Sequence, residues 1–315
     1  MRSPCTRFVL ASVAVIAAAW SMRANAGDAI FEHGFDPGFR IQTPEIVTPP
    51  GEGGTWCYFF RAPDTGAMGI RKWTSSMDAP MHHLIVYATY DDEWMPLERR
   101  PAGTLVKGCV EHEDGYGAWL YAAHAPRERL VLPADDGGGI PLGMEIMPGQ
   151  PLLLQMYVSN PTEAPVTTTA TLQAEALTGA YTRTATYQTT NISIAIPPGV
   201  AAHTVTQTCA VPPGVRFWRL STRTHRYAIE SRIEDAGLPL VVTTDWNQPE
   251  VATFAPPDFH PFSPAGLTYS CTYANPTGSP IHFGESEETD EVCIAIGHFF
   301  PATRPSLCVN DVGPL

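Results

Sequence analysis

The chain has 315 residues, with 19 Lys or Arg against 32 Asp or Glu, which gives a net charge of −13. Repulsion between like charges makes nucleic acid and anionic membrane surfaces poor partners for so acidic a protein. The 31 prolines and 26 glycines divide the chain into short segments, and no long segment shows helical periodicity. The composition therefore favours a globular protein built from short strands.

The N-terminal segment has the features of a secretory signal peptide. Arg2 and Arg7 precede an apolar block at residues 8–20, and Ala24-Asn25-Ala26 supplies a small-x-small cleavage site. The apolar block is too short to span a membrane, and no other segment approaches the necessary length. We therefore predict a secreted or periplasmic protein that is cleaved after Ala26 and has no membrane span.

Six cysteines follow the signal peptide, and an even number in an exported chain predicts three disulfides. The spacing of these cysteines leaves every pairing open. The six are Cys57, Cys109, Cys209, Cys271, Cys293 and Cys308.

Short apolar or alternating runs bounded by turn residues recur along the chain, which is typical of β-sandwich proteins. The length favours two domains that each bury a core. A Thr- and Tyr-rich stretch at residues 178–190 fits a strand pair at a domain junction, so we place the domains at 27–181 and 182–315. We thus predict an all-β protein with two tandem antiparallel β-sandwich (jelly-roll-like) domains. The runs include residues 152–158, 167–173, 192–196 and 292–296.

Two adjacent histidines, His82 and His83, stand at the head of an apolar run that ends at Tyr87. Histidine is the commonest metal ligand, so the pair raises the question of a metal site. On an ideal strand, neighbouring side chains point to opposite faces, which would place one ring in the core and the other in solvent. The pair also supplies only two of the three or four ligands that a stable site needs, so both interpretations stay open.

Five short motifs, together with the cysteines, occur in the order found in one family of enzymes. In these motifs the chain resembles the copper type II, ascorbate-dependent monooxygenases, of the peptidylglycine α-hydroxylating and dopamine β-hydroxylating type. The resemblance extends from about Cys57 to Cys308, which is nearly the whole chain after the signal peptide. The motifs are His82-His83, Leu154-Gln155-Met156-Tyr157, Ser221-Thr222-Arg223-Thr224-His225, Cys271-Thr272-Tyr273-Ala274-Asn275, and Phe283-Gly284-Glu285-Ser286 followed by Asp290-Glu291-Val292-Cys293.

The resemblance implies two packed β-sandwich domains separated by a cleft, with the disulfides Cys57–Cys109, Cys209–Cys308 and Cys271–Cys293. It also implies one copper ion in each domain. The first copper takes the histidine pair and a third histidine from a later strand, and it stores and passes an electron. The second copper takes a His-x-His pair and a methionine, binds dioxygen and abstracts hydrogen from the substrate. Imidazole suits both copper states, and a thioether favours Cu(I).

The chain departs from the family at both metal positions. Tyr157 stands where the third histidine of the first site is expected, and Met156 beside it would point to the other face of the strand. Arg223 and His225 occupy the places of the His-x-His pair, and Val292 replaces the methionine. Because arginine stays protonated and valine has no donor atom, only His225 survives at the second site.

We therefore predict that the chain is not a working coupled hydroxylase. One hypothesis is a relative that binds at most one copper ion, with His82, His83, Tyr157 and His225 as candidate ligands. A second is a metal-free protein whose interdomain cleft binds a small molecule, peptide or glycan. A third is an active monooxygenase with ligands recruited from elsewhere. His298 lies six residues beyond Val292, too far along an extended strand to complete the second site.

Other residues give weaker signals. The acidic run at residues 283–291 fits a solvated turn better than a calcium loop, because the EF-hand spacing is absent. Isolated histidines such as His124 are expected in loops or at the surface. No Gly-x-Ser-x-Gly motif of a hydrolase occurs, and the cysteines are better explained as paired than as nucleophiles.

Overall fold

A computed structural model describes residues 37–91, 93–109, 117–284 and 286–313. Over these ranges the protein is all-β, with 23 strands and no helix, which confirms the predicted fold class. The signal peptide predicted at residues 1–26 lies outside the described residues. In the part of the chain that the structure describes, no helix is long and apolar enough to cross a membrane.

The first half of the chain forms two layers with a core between them. The core includes Trp73, Leu84, Met156 and Leu172. One layer is a five-stranded antiparallel sheet of β3 (Gly53–Arg61), β5 (Met81–Thr89), β6 (Leu105–Lys107), β7 (Gly117–Ala123) and β10 (Pro151–Ser159). The strands lie in the order β6-β3-β10-β5-β7. The other layer contains β1 (Gly38–Gln42), β4 (Met68–Met77), β8 (Arg127–Val131), β9 (Leu142–Ile146) and β12 (Ala170–Ala176), while β2 (Ile46–Thr48) pairs with β11 (Val166–Thr168).

The second half repeats this layered arrangement around its own core, which includes Tyr187, Phe217, Ile233 and Tyr273. One layer is a four-stranded antiparallel sheet of β15 (Val200–Cys209), β17 (Ala228–Asp235), β18 (Leu238–Thr243) and β20 (Leu267–Asn275). The strands lie in the order β15-β20-β17-β18. The facing layer contains β13 (Thr182–Thr190), β16 (Arg216–Arg223), β19 (Val251–Thr253), β22 (Ile294–Phe300) and β23 (Ser306–Val309), while β14 (Ala195–Ile196) pairs with β21 (Ile281–His282).

One ten-stranded sheet runs through both halves. The start of β13 pairs in parallel with β9, so that Thr182 faces Leu142 and Thr184 faces Met144. Further along, β13 pairs with β22 in the antiparallel sense. The predicted domain boundary at residue 182 coincides with the start of β13, where the backbone ladder joins the two halves; the division into two domains stays a prediction.

A third apolar cluster lies between the halves. Phe59, Ile85 and Trp119 project from the outer face of the five-stranded sheet and pack with Ile294 and Ile296 of the second half. Strand β5 is consequently buried on both faces, which explains why its sequence is continuously apolar instead of alternating. Because Ile85 takes part in this contact, the nearby residue His83 of β5 also lies against the second half.

The six cysteines form the three disulfides that the resemblance implied. Cys57 pairs with Cys109, Cys209 with Cys308, and Cys271 with Cys293, with Cα separations of 5.9, 6.2 and 5.8 Å. These separations lie in the ordinary range for a disulfide. Each bridge stays within one half of the chain, so the contact between the halves depends on packing and on the shared sheet.

Candidate metal site

The two adjacent histidines share one site because β5 bulges at their position. Tyr157 of β10 pairs with His83, whereas the following residue, Val158, pairs with Met81, so that His82 is an extra residue in β5. A bulge redirects a side chain that regular pleating would send to the other face. Nδ1 of His82 lies 3.4 Å from Nδ1 of His83, and the expectation that the two rings point to opposite faces is therefore wrong.

Glu287 brings a carboxylate from the second half onto this histidine pair. Its Oε1 lies 3.4 Å from Nδ1 of His83, and its Oε2 lies 3.9 Å from Nδ1 of His82. One ligand atom from each of the three residues lies within 4.8 Å of the others, which makes this a group that can hold a metal ion. The Glu287 side chain is only 11% exposed, so the expectation of a solvated acidic turn is wrong for this residue.

The aromatic ring of Tyr157 packs beside the histidine pair. Its ring is stacked on that of His83, with centroids 5.9 Å apart and an interplanar angle of 9°. Burial raises the pKa of the Tyr157 phenol, and the nearby Glu288 and Glu287 raise it further. Because the phenol keeps its proton under these conditions, it is a weaker ligand than Glu287. Met156 is fully buried in the first core, on the other face of β10, and is no substitute for the missing histidine.

His124, which follows β7, lies next to the pair. Its ring centroid is 5.9 Å from that of His83. Burial, followed by the positive charge of Arg223, lowers the pKa of His124 to about 4, so the ring is neutral near pH 7. His124 lies in the loop after β7, as expected for an isolated histidine, but it is partly buried there and adds a neutral imidazole beside His83.

The residues that the resemblance assigned to a second copper site line the same small pocket as the histidine pair. Arg223, His225 and Val292 line this pocket together with His83 and Glu287. Its free volume is about 20 Å³, which is room for about one water molecule or one ion. One guanidinium nitrogen of Arg223 lies 3.9 Å from Oε1 of Glu287. A fixed positive charge therefore stands where the family's second metal ion is expected, and the residues there do not fit a second copper.

His225 is held in one orientation by its backbone and its ring. Nδ1 lies 3.1 Å from the carbonyl oxygen of Asp290, and among the described residues Nε2 has no hydrogen-bond partner. The backbone N–H groups of His225 and Tyr227 donate to the carboxylate of the buried Glu291, at 2.9 and 2.6 Å. Burial and then Arg223 lower the pKa of His225 to about 3. His225 therefore lines the pocket as a neutral ring, outside the His82, His83 and Glu287 group.

Sequence patterns identify the histidines of this site but not its carboxylate. Glu287 lies in an acidic run that no ligand spacing distinguishes from a surface turn. The available signal is its position between Phe283 and Cys293, inside a segment in which the chain resembles the monooxygenases. The packing of the two halves places this residue on His83.

Comparisons with known proteins leave the family of this chain open. No protein-family model matches it, and no curated protein matches it. Similar solved structures include a chain from the triple jelly-roll fold and turret assembly of an archaeal virus, with 12% identity and a TM-score of 0.19. Another comes from Sulfolobus turreted icosahedral virus, with 11% identity and the same TM-score. The matches cover 85% of this chain but only 60% and 61% of those chains, and TM-scores this low support no argument.

Proposed function

We propose that this protein binds a single transition-metal ion between its two halves, through His82, His83 and Glu287. The observation that carries the proposal is the convergence of two imidazole nitrogens and one carboxylate within 4.8 Å at a largely buried position. Two histidines and a carboxylate suit Cu(II), Zn(II) and Fe(II). Cu(II) binds most tightly of these to a given nitrogen and oxygen site, so copper is the expected occupant.

The same geometry argues against the coupled two-copper hydroxylation that the resemblance implies. That reaction needs a second, oxygen-binding copper, and Arg223 and Val292 supply no ligand for it. A single bound copper would supply one-electron redox chemistry at most. We therefore propose a metal-binding relative of the monooxygenases without the coupled activity, and we propose that it acts outside the cytoplasm, in keeping with its three disulfides.

Metal analysis of the purified protein tests this function. We expect one equivalent of copper after exposure to Cu(II) and dialysis, and loss of that copper in His83→Ala. His282→Ala, which removes an exposed histidine on β21, is the matched control and should keep the copper. Zero or two equivalents in the wild-type protein, or full retention in His83→Ala, would contradict the proposal.

Oxygen consumption tests the proposal that the protein does not carry out coupled two-copper hydroxylation. With ascorbate and added copper, we expect wild-type protein to consume oxygen no faster than His225→Ala. A clearly faster wild-type rate would mean that an oxygen-binding copper site exists after all.

A further inference from the structure

A second cavity, separate from the metal pocket, lies between the two halves. Its volume is about 330 Å³, which is roughly eleven water molecules at about 30 Å³ each. Strand β7, the turn after it and β8 form one wall, and β16, β22 and residues 248–251 form the other. Among the residues that line the metal pocket, Arg223 also lines this cavity, and His124, which lies beside His83, lines it as well.

The cavity has an apolar wall and a polar end. Trp119, Tyr121 and Ile296 contribute to the apolar wall. At the polar end, Arg219 of β16 and His298 of β22 are cross-strand neighbours in the sheet. Because directly opposed residues of an antiparallel pair project to the same face, both side chains point into the same end of the cavity.

Arg219 is a partly buried cation whose anionic neighbour, Glu128, interacts with it through the cavity without a direct ion pair. Burial lowers the pKa of its guanidinium, and Glu128 and Tyr121 oppose that shift. Glu128 accepts the backbone N–H groups of His124 and Ala125, at 2.8 and 3.3 Å, instead of pairing with Arg219. Over the described ranges Arg219 forms no ion pair and no side-chain hydrogen bond. A charge taken out of water in this way favours a ligand of opposite charge.

His298 is a second buried polar group whose hydrogen-bonding capacity is not fully used. It is 4% exposed, and at strict hydrogen-bond geometry neither ring nitrogen has a partner among the described residues, while the Leu120 backbone lies close enough to raise its pKa. Its ring packs on Trp218, with centroids 4.9 Å apart. Buried polar groups are almost always satisfied by hydrogen bonds, and the Leu120 backbone can satisfy only one of the two ring nitrogens, so the other indicates a partner supplied from the cavity.

We propose that this cavity binds a small organic acid with a flat apolar body. The carboxylate pairs with the Arg219 guanidinium and accepts a hydrogen bond from His298, and the apolar body contacts Trp119, Tyr121 and Ile296. The second arginine of the cavity, Arg223, lies 3.9 Å from the Glu287 carboxylate, which leaves Arg219 beside a neutral imidazole to match one negative charge and favours a carboxylate over a doubly charged phosphate. The site is independent of the metal proposed above and should bind the acid in metal-free protein.

Calorimetric titration of EDTA-treated, dialysed protein tests this site. The probes are benzoate, phenylacetate and indole-3-acetate, each compared with the corresponding amide. We expect saturable 1:1 binding of at least one acid and at least tenfold weaker binding of its amide. Arg219→Gln should weaken binding of the acid about tenfold to a hundredfold, because charge-assisted hydrogen bonds contribute most of the selectivity. Affinity for the amide should stay unchanged.

Two further variants test whether the charge of Arg219 or the shape of its side chain matters, and whether the effect is specific to this position. Arg219→Lys keeps the charge and should retain part of the affinity for the acid, whereas Arg232→Gln removes a distant arginine that pairs with Glu230 and should change nothing. Thermal unfolding of each variant checks that it folds. Absence of saturable binding for all three acids to folded wild-type protein would overturn the proposal, and so would unchanged affinity in folded Arg219→Gln. If Arg219→Gln fails to fold, a crystal soaked with the tightest acid decides, since a carboxylate placed away from Arg219 overturns the site.

Discussion

Nδ1 of His83 lies 3.4 Å from Oε1 of Glu287, and the two residues come from opposite halves of the chain. A metal ion bound to both would connect β5 of the first half to the segment before β22 of the second. Metal binding should therefore stabilise the contact between the halves as well as the local site, because a ligand that binds only the folded protein adds its binding free energy to stability.

Copper should raise the thermal stability of the protein, and Glu287→Gln should abolish that effect. At free copper about 100 times the dissociation constant, the expected gain for wild-type protein is about 2.7 kcal/mol. Differential scanning calorimetry with and without Cu(II) measures the change in Tm. Asp245→Asn, at an exposed acidic residue, is the matched control and should keep the gain. An equal gain in Glu287→Gln would remove Glu287 from the ligand set.

Arg223→Gln should increase copper affinity several-fold to about tenfold. The Arg223 guanidinium lies 3.9 Å from Oε1 of Glu287, so it competes with a metal ion for the carboxylate and repels an incoming cation. Competition titration against a chelator of known affinity measures the change. Arg223→Lys keeps the charge and should stay close to wild type. Weaker copper binding in Arg223→Gln would instead mean that Arg223 positions Glu287 for the metal.

Acid should destabilise the protein in part through His298. Burial and then Arg219 lower the pKa of His298 to about 3, and the Leu120 backbone opposes the shift only in part. Between an unfolded-state pKa of about 6.5 and the folded value, only the unfolded chain binds the proton. Stability from this group is therefore complete above about pH 6.5 and falls by up to about 1.4 kcal/mol per pH unit below it.

The variant His298→Leu should flatten the pH dependence of stability in this window. Urea unfolding at several pH values between 6.5 and 4 gives the slope for wild type and variant. His282→Leu changes an exposed histidine and should leave the slope as it is. A His298→Leu slope as steep as that of wild type would show that other groups carry the acid sensitivity.

Restoring the family's second-site residues should not restore oxygen chemistry. The double variant Arg223→His with Val292→Met supplies the missing donor atoms. The pocket nevertheless has a free volume of only about 20 Å³, and Val292 is buried in the apolar contact between the halves. We expect ascorbate-dependent oxygen uptake to stay at the wild-type level. A regained rate would mean that the missing ligands alone had removed the activity.

The fold class could be predicted from the sequence because the strands carry local signals. Strand β20 alternates buried and partly exposed residues along its whole length, and turn residues bound it. The parallel pairing of β9 with β13 has no such signal, since it joins segments about forty residues apart without a pattern in either. The single sheet through both halves therefore becomes visible only in the structure.

At the candidate site, too, some residues could be predicted from the sequence and others became visible only in the structure. The sequence identifies His82 and His83 by their adjacency and by the resemblance, but the ideal pleat predicts divergent rings. The bulge that brings the two histidine rings together depends on the register of β5 with β10. That register is a property of the tertiary structure. Glu287 likewise meets His83 through packing between the halves, and Arg219 and His298 become neighbours through the register of β16 with β22; no local pattern encodes either.

The ladder between β9 and β13 also determines how the two halves behave when they are separated. Cutting the chain before Thr182 would leave the edge of β9 without its partner and free the first residues of β13, so each fragment would present unpaired backbone N–H and C=O groups. Exposed strand edges of this kind recruit other chains. Expression of either half alone should therefore yield self-associating material, and studies of the metal pocket or the cavity need the undivided chain.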